Sequence, residues 1–375
     1  MGDKNFLTFI DFGNNAIRAT TFNKETEKVE NQLALTIKND KSNYLSNKDK
    51  LIEDLIFNLE KKNGEYLDEI SLMVDSSDIL FISLLIYKKS DSKILNNNFL
   101  KYITDEAKYE ISKNYPNYEI VHSIIKNFYL DEKKFSKLPK NLSHNKFAVE
   151  FNFFVYPKLF LENLRKIFAK QNVIIKKFIF SSYSKSIFYL NQISDQKKII
   201  FVDIGFEKTC AFLFEDNKMQ QFKILPIGGN HITKDLSKIL NIDMIKAEKI
   251  KLCFDKNEKV LIEENLSLDL VRKIIFARIE EILELCIQSI KLNHNLDQTY
   301  QYQLNLIGDG SKILDNKFKE KIVFSKEIDL LEETPQDICE AALKLSEGIN
   351  KQEVVIIPKK QMKMGFFEKL FHFFK

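Results

Sequence analysis

Cysteine is sparse in this chain and widely spaced. Cys210, Cys253, Cys286 and Cys339 stand at least 33 residues apart. That spacing excludes a CxxC pair and a zinc site, and it suits buried thiols in a reducing cytoplasm. The five histidines are scattered and form no metal-binding pattern. No run of ~18 apolar residues is present, so no helix is expected to cross a bilayer. Met1 to Asn5 carry no basic, apolar leader, and no signal peptide is expected. Charge is nearly balanced, with 57 Lys and Arg against 53 Asp and Glu, a net of +4. That balance argues against a protein that coats nucleic acid. What remains is 44% hydrophobic and 29% charged residues over 375 positions, enough for a packed core and for two lobes or more.

The small positive excess has an address. Residues 351–375 hold six Lys and two Glu, so this tail carries the whole +4.

Glycine is rarer still, with ten residues, and six of them fall in four loops. Thr8-Phe9-Ile10-Asp11-Phe12-Gly13-Asn14-Asn15 runs on to Phe22. Ile200-Phe201-Val202-Asp203-Ile204-Gly205-Phe206-Glu207 runs on to Phe214. Each reads as an apolar strand, an Asp, a glycine turn and a second strand. The same hairpin used 192 positions apart implies two related lobes. Leu304 to Ile307 forms a third strand, leading into Gly308-Asp309-Gly310-Ser311 and then an expected helix. Leu225-Pro226-Ile227-Gly228-Gly229 leads into a helix over Lys234–Leu240. Helices are also expected at Asp243–Lys251 and Leu268–Leu292. Residues 75–151 alternate strand-like and helix-like pieces, with no recognisable chemistry.

Asp11 and Asp203 each follow a strand and precede a glycine turn. Two carboxylates beside a polyphosphate need a hard cation between them, normally Mg2+ with its waters. Turn N–H groups would then grip the phosphate oxygens. Ordinary turn glycines are the alternative. There is no Walker A sequence and no GxGxxG.

The two Asp-apolar-Gly hairpins and the Gly308-Asp309-Gly310-Ser311 turn resemble the phosphate and adenosine motifs of the actin/Hsp70/sugar-kinase superfamily. Leu225 to Asp235, the Ala247-Glu248-Lys249-Ile250-Lys251 helix and Arg278 to Ile282 resemble the bacterial FtsA cell-division family within it. The resemblance implies an α/β, actin-like two-lobed ATPase fold of duplicated ribonuclease-H-like domains, with an inserted subdomain and a C-terminal amphipathic helix. It implies a first lobe at 1–74 and 157–196 and an inserted subdomain at 75–156. The second lobe would comprise 197–232 and 303–357, with a smaller subdomain at 233–302. A linker at 358–364 and a helix at 365–375 would follow.

By the same resemblance, Asp11 and Asp203 would organise Mg2+. The turns at Gly13-Asn14-Asn15 and Gly205-Phe206-Glu207 would wrap the phosphates of ATP, and Thr209, Gly228 and Gly229 would belong to the same nucleotide site. Glu248, Lys251 and Arg278 would approach the nucleoside, and Gly308, Gly310 and Ser311 the adenosine. An i,i+3 surface ion pair is the alternative for Glu248 and Lys251. The chain departs from the family pattern at Asn14, Phe206, Glu207, Cys210 and Asp309. Phe206 would crowd a phosphate and Glu207 would repel it, so hydrolysis is expected to be weak or absent.

The last eleven residues, Gly365 to Lys375, form a sharply two-sided helical wheel. Phe366, Phe367, Leu370, Phe371, Phe373 and Phe374 fill the arc from about −20° to 140°. The charged residues, His372 and Gly365 fill the remainder. Eleven residues rise only ~16 Å, so such a helix would lie in the lipid interface without spanning it. Lys359, Lys360 and Lys363 would add attraction to anionic lipid, ~1 kcal/mol each. Packing of this helix back on its own core is the alternative. One such tail would bind weakly, so stable attachment would need several on one assembly.

The expected function is an actin-like, ATP-binding cell-division protein at the septum, peripheral on the inner membrane. It would self-associate, tether the C-terminal tail of FtsZ and help recruit downstream divisome proteins. A PilM-like scaffold of pilus assembly and a small-molecule kinase on the same fold are the alternatives.

Overall fold

The computed structural model describes residues 5–37, 44–89, 95–139, 145–193, 198–253, 266–291, 302–314, 318 and 327–347. The tail residues from Lys359 to Phe374 named above lie outside these described residues.

The hairpin read twice in the sequence forms twice. Strands β1 (Phe6–Phe12) and β2 (Ala16–Asn23) pair antiparallel, with Asp11 opposite Arg18. With β3 (Val29–Thr36), β4 (Glu69–Val74) and β9 (Ile174–Phe180) they make a five-stranded sheet of order β3-β2-β1-β4-β9. Strands β10 (Lys198–Ile204) and β11 (Thr209–Glu215) repeat the pairing with Asp203 opposite Cys210. With β12 (Lys218–Leu225), β13 (Gln303–Ile307) and β14 (Glu327–Leu330) they give the order β12-β11-β10-β13-β14. The two sheets therefore share one topology. Even the turn bond repeats: Gly13 N–H donates to Ala16 O at 3.1 Å, and Gly205 N–H to Lys208 O at 2.9 Å.

A third sheet of order β5-β8-β6-β7 comprises β5 (Leu80–Lys89), β6 (Tyr118–Leu130), β7 (Lys133–Phe135) and β8 (Lys146–Pro157). The helix α2 (Asn97–Asn114) covers one of its faces, burying Ile103, Ala107 and Ile111. Helix α1 (Tyr44–Asn63) packs on β3. Helix α3 (Lys158–Ala169) packs on β8 and β9.

The second sheet works as a partition, because strand side chains alternate faces. Ile199 and Phe201 join the core shared with the first sheet. Ile200, Val202 and Ile204 face a separate core. That separate core is closed by α5 (Gly229–Leu240), α6 (Met244–Cys253) and α7 (Leu268–Lys291). Helix α4 (Ser181–Leu190) leaves the first sheet and touches β11 of the second. Helix α8 (Pro335–Ser346) follows the second sheet in sequence yet lies on β1 and β2 of the first. It starts at Thr334, whose hydroxyl accepts from Asp337 N–H, with Pro335 leading the first turn.

All three sheets meet at one aromatic cluster. Phe154 of β8 lies 5.0 Å from Phe180 of β9 and 5.1 Å from Phe222 of β12, ring centre to ring centre. Phe180 and Phe222 close the triangle at 5.6 Å. Aromatic pairs of this kind add ~0.5–1.5 kcal/mol each beyond burial. The lobes thus share an apolar core beneath their cleft, which opposes free hinge motion.

The third glycine loop is followed first by turns. Residues 309–313 form successive tight turns, and Phe318 beyond them is helical. Ser311 N–H bonds Gly308 O and Leu314 N–H bonds Ser311 O, both three residues back.

Candidate functional site

Parallel strands of both sheets point their carboxyl ends into one interlobe cleft, as ligand sites of open α/β sheets do. Asp11, Gly13, Asn14, Asn15, Asp203, Gly205, Gly229, Glu248, Lys251, Gly308 and Gly310 all line it. The open space is about 90 Å3, room for several waters.

The remaining space is filled by charge pairs, most of which cross between the lobes. Arg18 on β2 donates to Asp11 at 3.1 Å and also to Asp309 of the opposite lobe. Lys185 on α4 stands 2.8 Å from Asp203 and 3.4 Å from Glu333. Lys208 pairs with Asp75, which follows β4, and lies 3.1 Å from Cys210 Sγ. Ser181 adds a hydroxyl donor to Asp11 at 2.9 Å.

The electrostatics follow from burial. Desolvation works against each buried cation, but the carboxylates outweigh it and raise Arg18, Lys185 and Lys208 above their ordinary values. Burial pushes Glu333 up to about 7 despite Lys185. For Asp309, burial is outweighed by Arg18 and Lys312, which bring it down to about 2. Burial pulls Lys251 down against the pull of Glu248.

The protein's own packing demands glycine at positions 308 and 228. Gly308 sits at φ +91°, and a Cβ there would collide with Asp203 Oδ1. A Cβ on Gly228 would lie 2.5 Å from Gly205 O. The carbonyls of the second hairpin turn are taken by neighbouring loops. Gly310 N–H donates to Ile204 O, Gly229 N–H to Gly205 O and Asn230 N–H to Phe206 O, each at 2.8 Å.

Several expected site residues are engaged elsewhere. Arg278 is not among the cleft-lining residues. It holds Asp235 through two bonds of 2.6 and 2.9 Å and pairs with Glu281, because α7 turns that face toward α5. Thr209 Oγ1 donates to Ile227 O at 2.7 Å, and Ser311 Oγ to Gly308 O at 2.8 Å. Gly228 packs against the turn without lining the cavity. Glu248 and Lys251 do form an i,i+3 pair at 2.6 Å, but Lys251 is buried and also bonds Thr233 and Gly229 O. Phe206 lies over it, 5.8 Å from ring centre to Nζ.

Sequence reasoning missed Arg18, Lys185, Lys208, Asp75 and Glu333. Asp75 corrects the expectation that its stretch carries no chemistry. Only Arg18 was open to detection, as the residue facing Asp11 in the hairpin register.

The metal fit can be judged from these contacts. A hard cation suits Asp11 and Asp203 only if their oxygens are available to it or to its waters. In this arrangement Arg18, Ser181 and Lys185 already face those oxygens. No cluster of three or more metal-ligating side chains occurs among the described residues. Asp203 Oδ2 accepts no hydrogen bond although Lys185 Nζ lies 2.8 Å away, so the cations oppose a bare Mg2+ between the two carboxylates by charge while one acceptor stays open.

A family model described as cell division protein FtsA matches residues 200–295. Cell division protein FtsA of Helicobacter pylori is 30% identical over 133 residues, covering 36% of this chain and 27% of that protein. FtsA of Streptococcus pneumoniae is 22% identical over 318 residues, covering 80% of this chain and 67% of that protein. The chain thus aligns with little more than a quarter of the Helicobacter protein. A solved PilM–PilN type IV pilus biogenesis complex is similar in structure, with a TM-score of 0.61 at 11% identity, covering 88% of this chain and 89% of that one. At that identity the likeness is one of fold.

Proposed function

Because this chain belongs to the FtsA family of actin-like cell-division proteins, we propose that it is a scaffold joining FtsZ filaments to the cytoplasmic membrane. The observation that carries the reading is the family match over residues 200–295. That stretch holds β10 to β12, α5, α6 and α7.

The helices α5 and α6 pack together and present apolar groups to solvent. Ile239 is 58% exposed, Ile245 78% and Leu252 51%. Lys234, Lys238, Lys246 and Lys249 are exposed on the same two helices. Apolar anchors among lysines suit a short acidic peptide with hydrophobic side chains. In this reading the surface receives the FtsZ C-terminal tail, and the Phe-rich C-terminus holds the assembly to anionic lipid. Self-association would multiply weak tails into firm attachment. Septal localisation and recruitment of later divisome proteins belong to the same reading.

ATP enters this reading only as a ligand expected from the resemblance. The loops at Gly13-Asn14-Asn15 and Gly205, with Glu248 and Lys251, would be its surroundings. No step of the scaffold function is routed through it. The likeness to the pilus complex is one of fold and does not redirect the reading.

Binding of a labelled FtsZ C-terminal peptide, measured by fluorescence anisotropy against a pilus inner-membrane peptide, tests it. Preferential binding of the FtsZ peptide, weakened at least tenfold by Ile245→Glu, is expected. Binding of the pilus peptide alone would overturn the reading.

A further inference from the structure

An actin-like cleft closes on what lies between its lobes, and here the chain supplies that material itself. Three pairs bridge the lobes: Arg18 with Asp309, Lys185 with Asp203, and Lys208 with Asp75. The partners in these bridges are 291, 18 and 133 residues apart. In each bridge one partner belongs to elements of the first sheet and the other to loops or strands of the second. Each cation is well buried, with side-chain exposures of 12%, 9% and 5% for Arg18, Lys185 and Lys208. A buried charge stripped of its partner is strongly unfavourable, so opening the cleft must rehydrate all six groups.

The positions are also telling. Asp11 and Asp203 are where a metal–phosphate complex would need anchoring, and each instead faces a side-chain cation. Asp309, a carboxylate in a glycine turn, has a clear use: it receives Arg18 across the cleft. We propose that Arg18, Lys185 and Lys208 are built-in counterions that latch the lobes closed without metal or nucleotide. The closed cleft is then the resting state of the chain. This inference stands apart from the identity of the filament partner. Loss of FtsZ-peptide binding would leave it untouched.

The test uses the full chain. Its thermal midpoint is measured in EDTA, in ATP with EDTA, and in excess ATP with Mg2+. A ligand that closes the lobes binds the native state and must raise the midpoint. Midpoints within about 2 °C across the three conditions are expected. A rise of 5 °C or more with ATP and Mg2+, absent with EDTA, would overturn the latch. Alongside, a double-mutant cycle compares Arg18→Gln, Asp309→Asn and the double variant in EDTA. Non-additive losses of stability are expected, because the two residues act as one bridge. Additive losses would overturn the assignment of that bridge. Should one variant fail to fold, the wild-type comparison still decides the proposal.

Discussion

Arg18 and Cys210 occupy the same place in two copies of one hairpin. Arg18 lies opposite Asp11 in the first, and Cys210 lies opposite Asp203 in the second. The duplication was kept in the backbone and abandoned in the side chains. In the first copy the partner strand supplies the cation. In the second, helix α4 delivers Lys185 to Asp203 from the other lobe, while Lys208 lies beside Cys210. The vacated place therefore has no use for another positive charge. Cys210→Arg should cost about 3–5 kcal/mol by burying a like charge beside Lys208. Chemical unfolding of the variant, compared with Cys210→Ala, measures the electrostatic part.

Gly308 combines a positive φ of +91° with a backbone so near Asp203 that an added Cβ would collide with its Oδ1. Gly308→Ala should lower stability by about 2–4 kcal/mol, combining backbone strain with a collision. Gly64 has a similar φ of +71° but nothing within 4 Å of a Cβ. Gly64→Ala should therefore lose less. A urea titration of both variants separates strain from collision.

Phe154 is one corner of the ring triangle that joins all three sheets. Phe154→Ala should cost about 3–5 kcal/mol, and Phe154→Leu distinctly less. If the cluster fixes the lobes together, the alanine variant should also lose cooperativity. Separate unfolding transitions by far- and near-ultraviolet circular dichroism would reveal that.

Glu333 is buried and titrates near 7, against 4.5 when exposed to water. The folded state thus holds a proton that the unfolded state has released. This contribution to stability is fully present below about pH 4.5 and is lost as pH rises through about 7. Glu333→Gln should flatten the stability profile over that window. Unfolding free energies of both proteins at half-unit steps from pH 4.5 to 8 check the slope. A wild-type profile identical to that of the variant would contradict the assignment.

For the C-terminus, removal of residues 365–375 or the single change Leu370→Glu should abolish sedimentation with anionic liposomes. Association of the soluble protein should remain. A variant that cannot self-associate should sediment much less than the assembled protein, since each tail alone is weak.

Much of the architecture was legible because strands and turns are local. The Asp-apolar-Gly hairpin is written within fifteen residues, and its repetition announced two lobes. The amphipathic spacing of α7 placed that helix within one residue of its observed end. The helix expected after the Gly308–Ser311 turn does not start within residues 309–313, which make tight turns. A glycine-serine turn and the start of a helix share their first bonds, and only the continuing chain separates them. The cleft position of Glu248 and Lys251 was readable, but their commitment to Thr233 and Gly229 was not.

By itself, then, the sequence determined the duplicated sheets and the glycine turns at their ends. Each depends on residues near one another along the chain. Which charges meet in the cleft was decided by tertiary structure alone. Asp309 and Arg18, or Asp75 and Lys208, are brought together by the docking of two lobes, and no local periodicity records that docking. Removed from water together, these charges must find partners in space, and the fold chooses which ones.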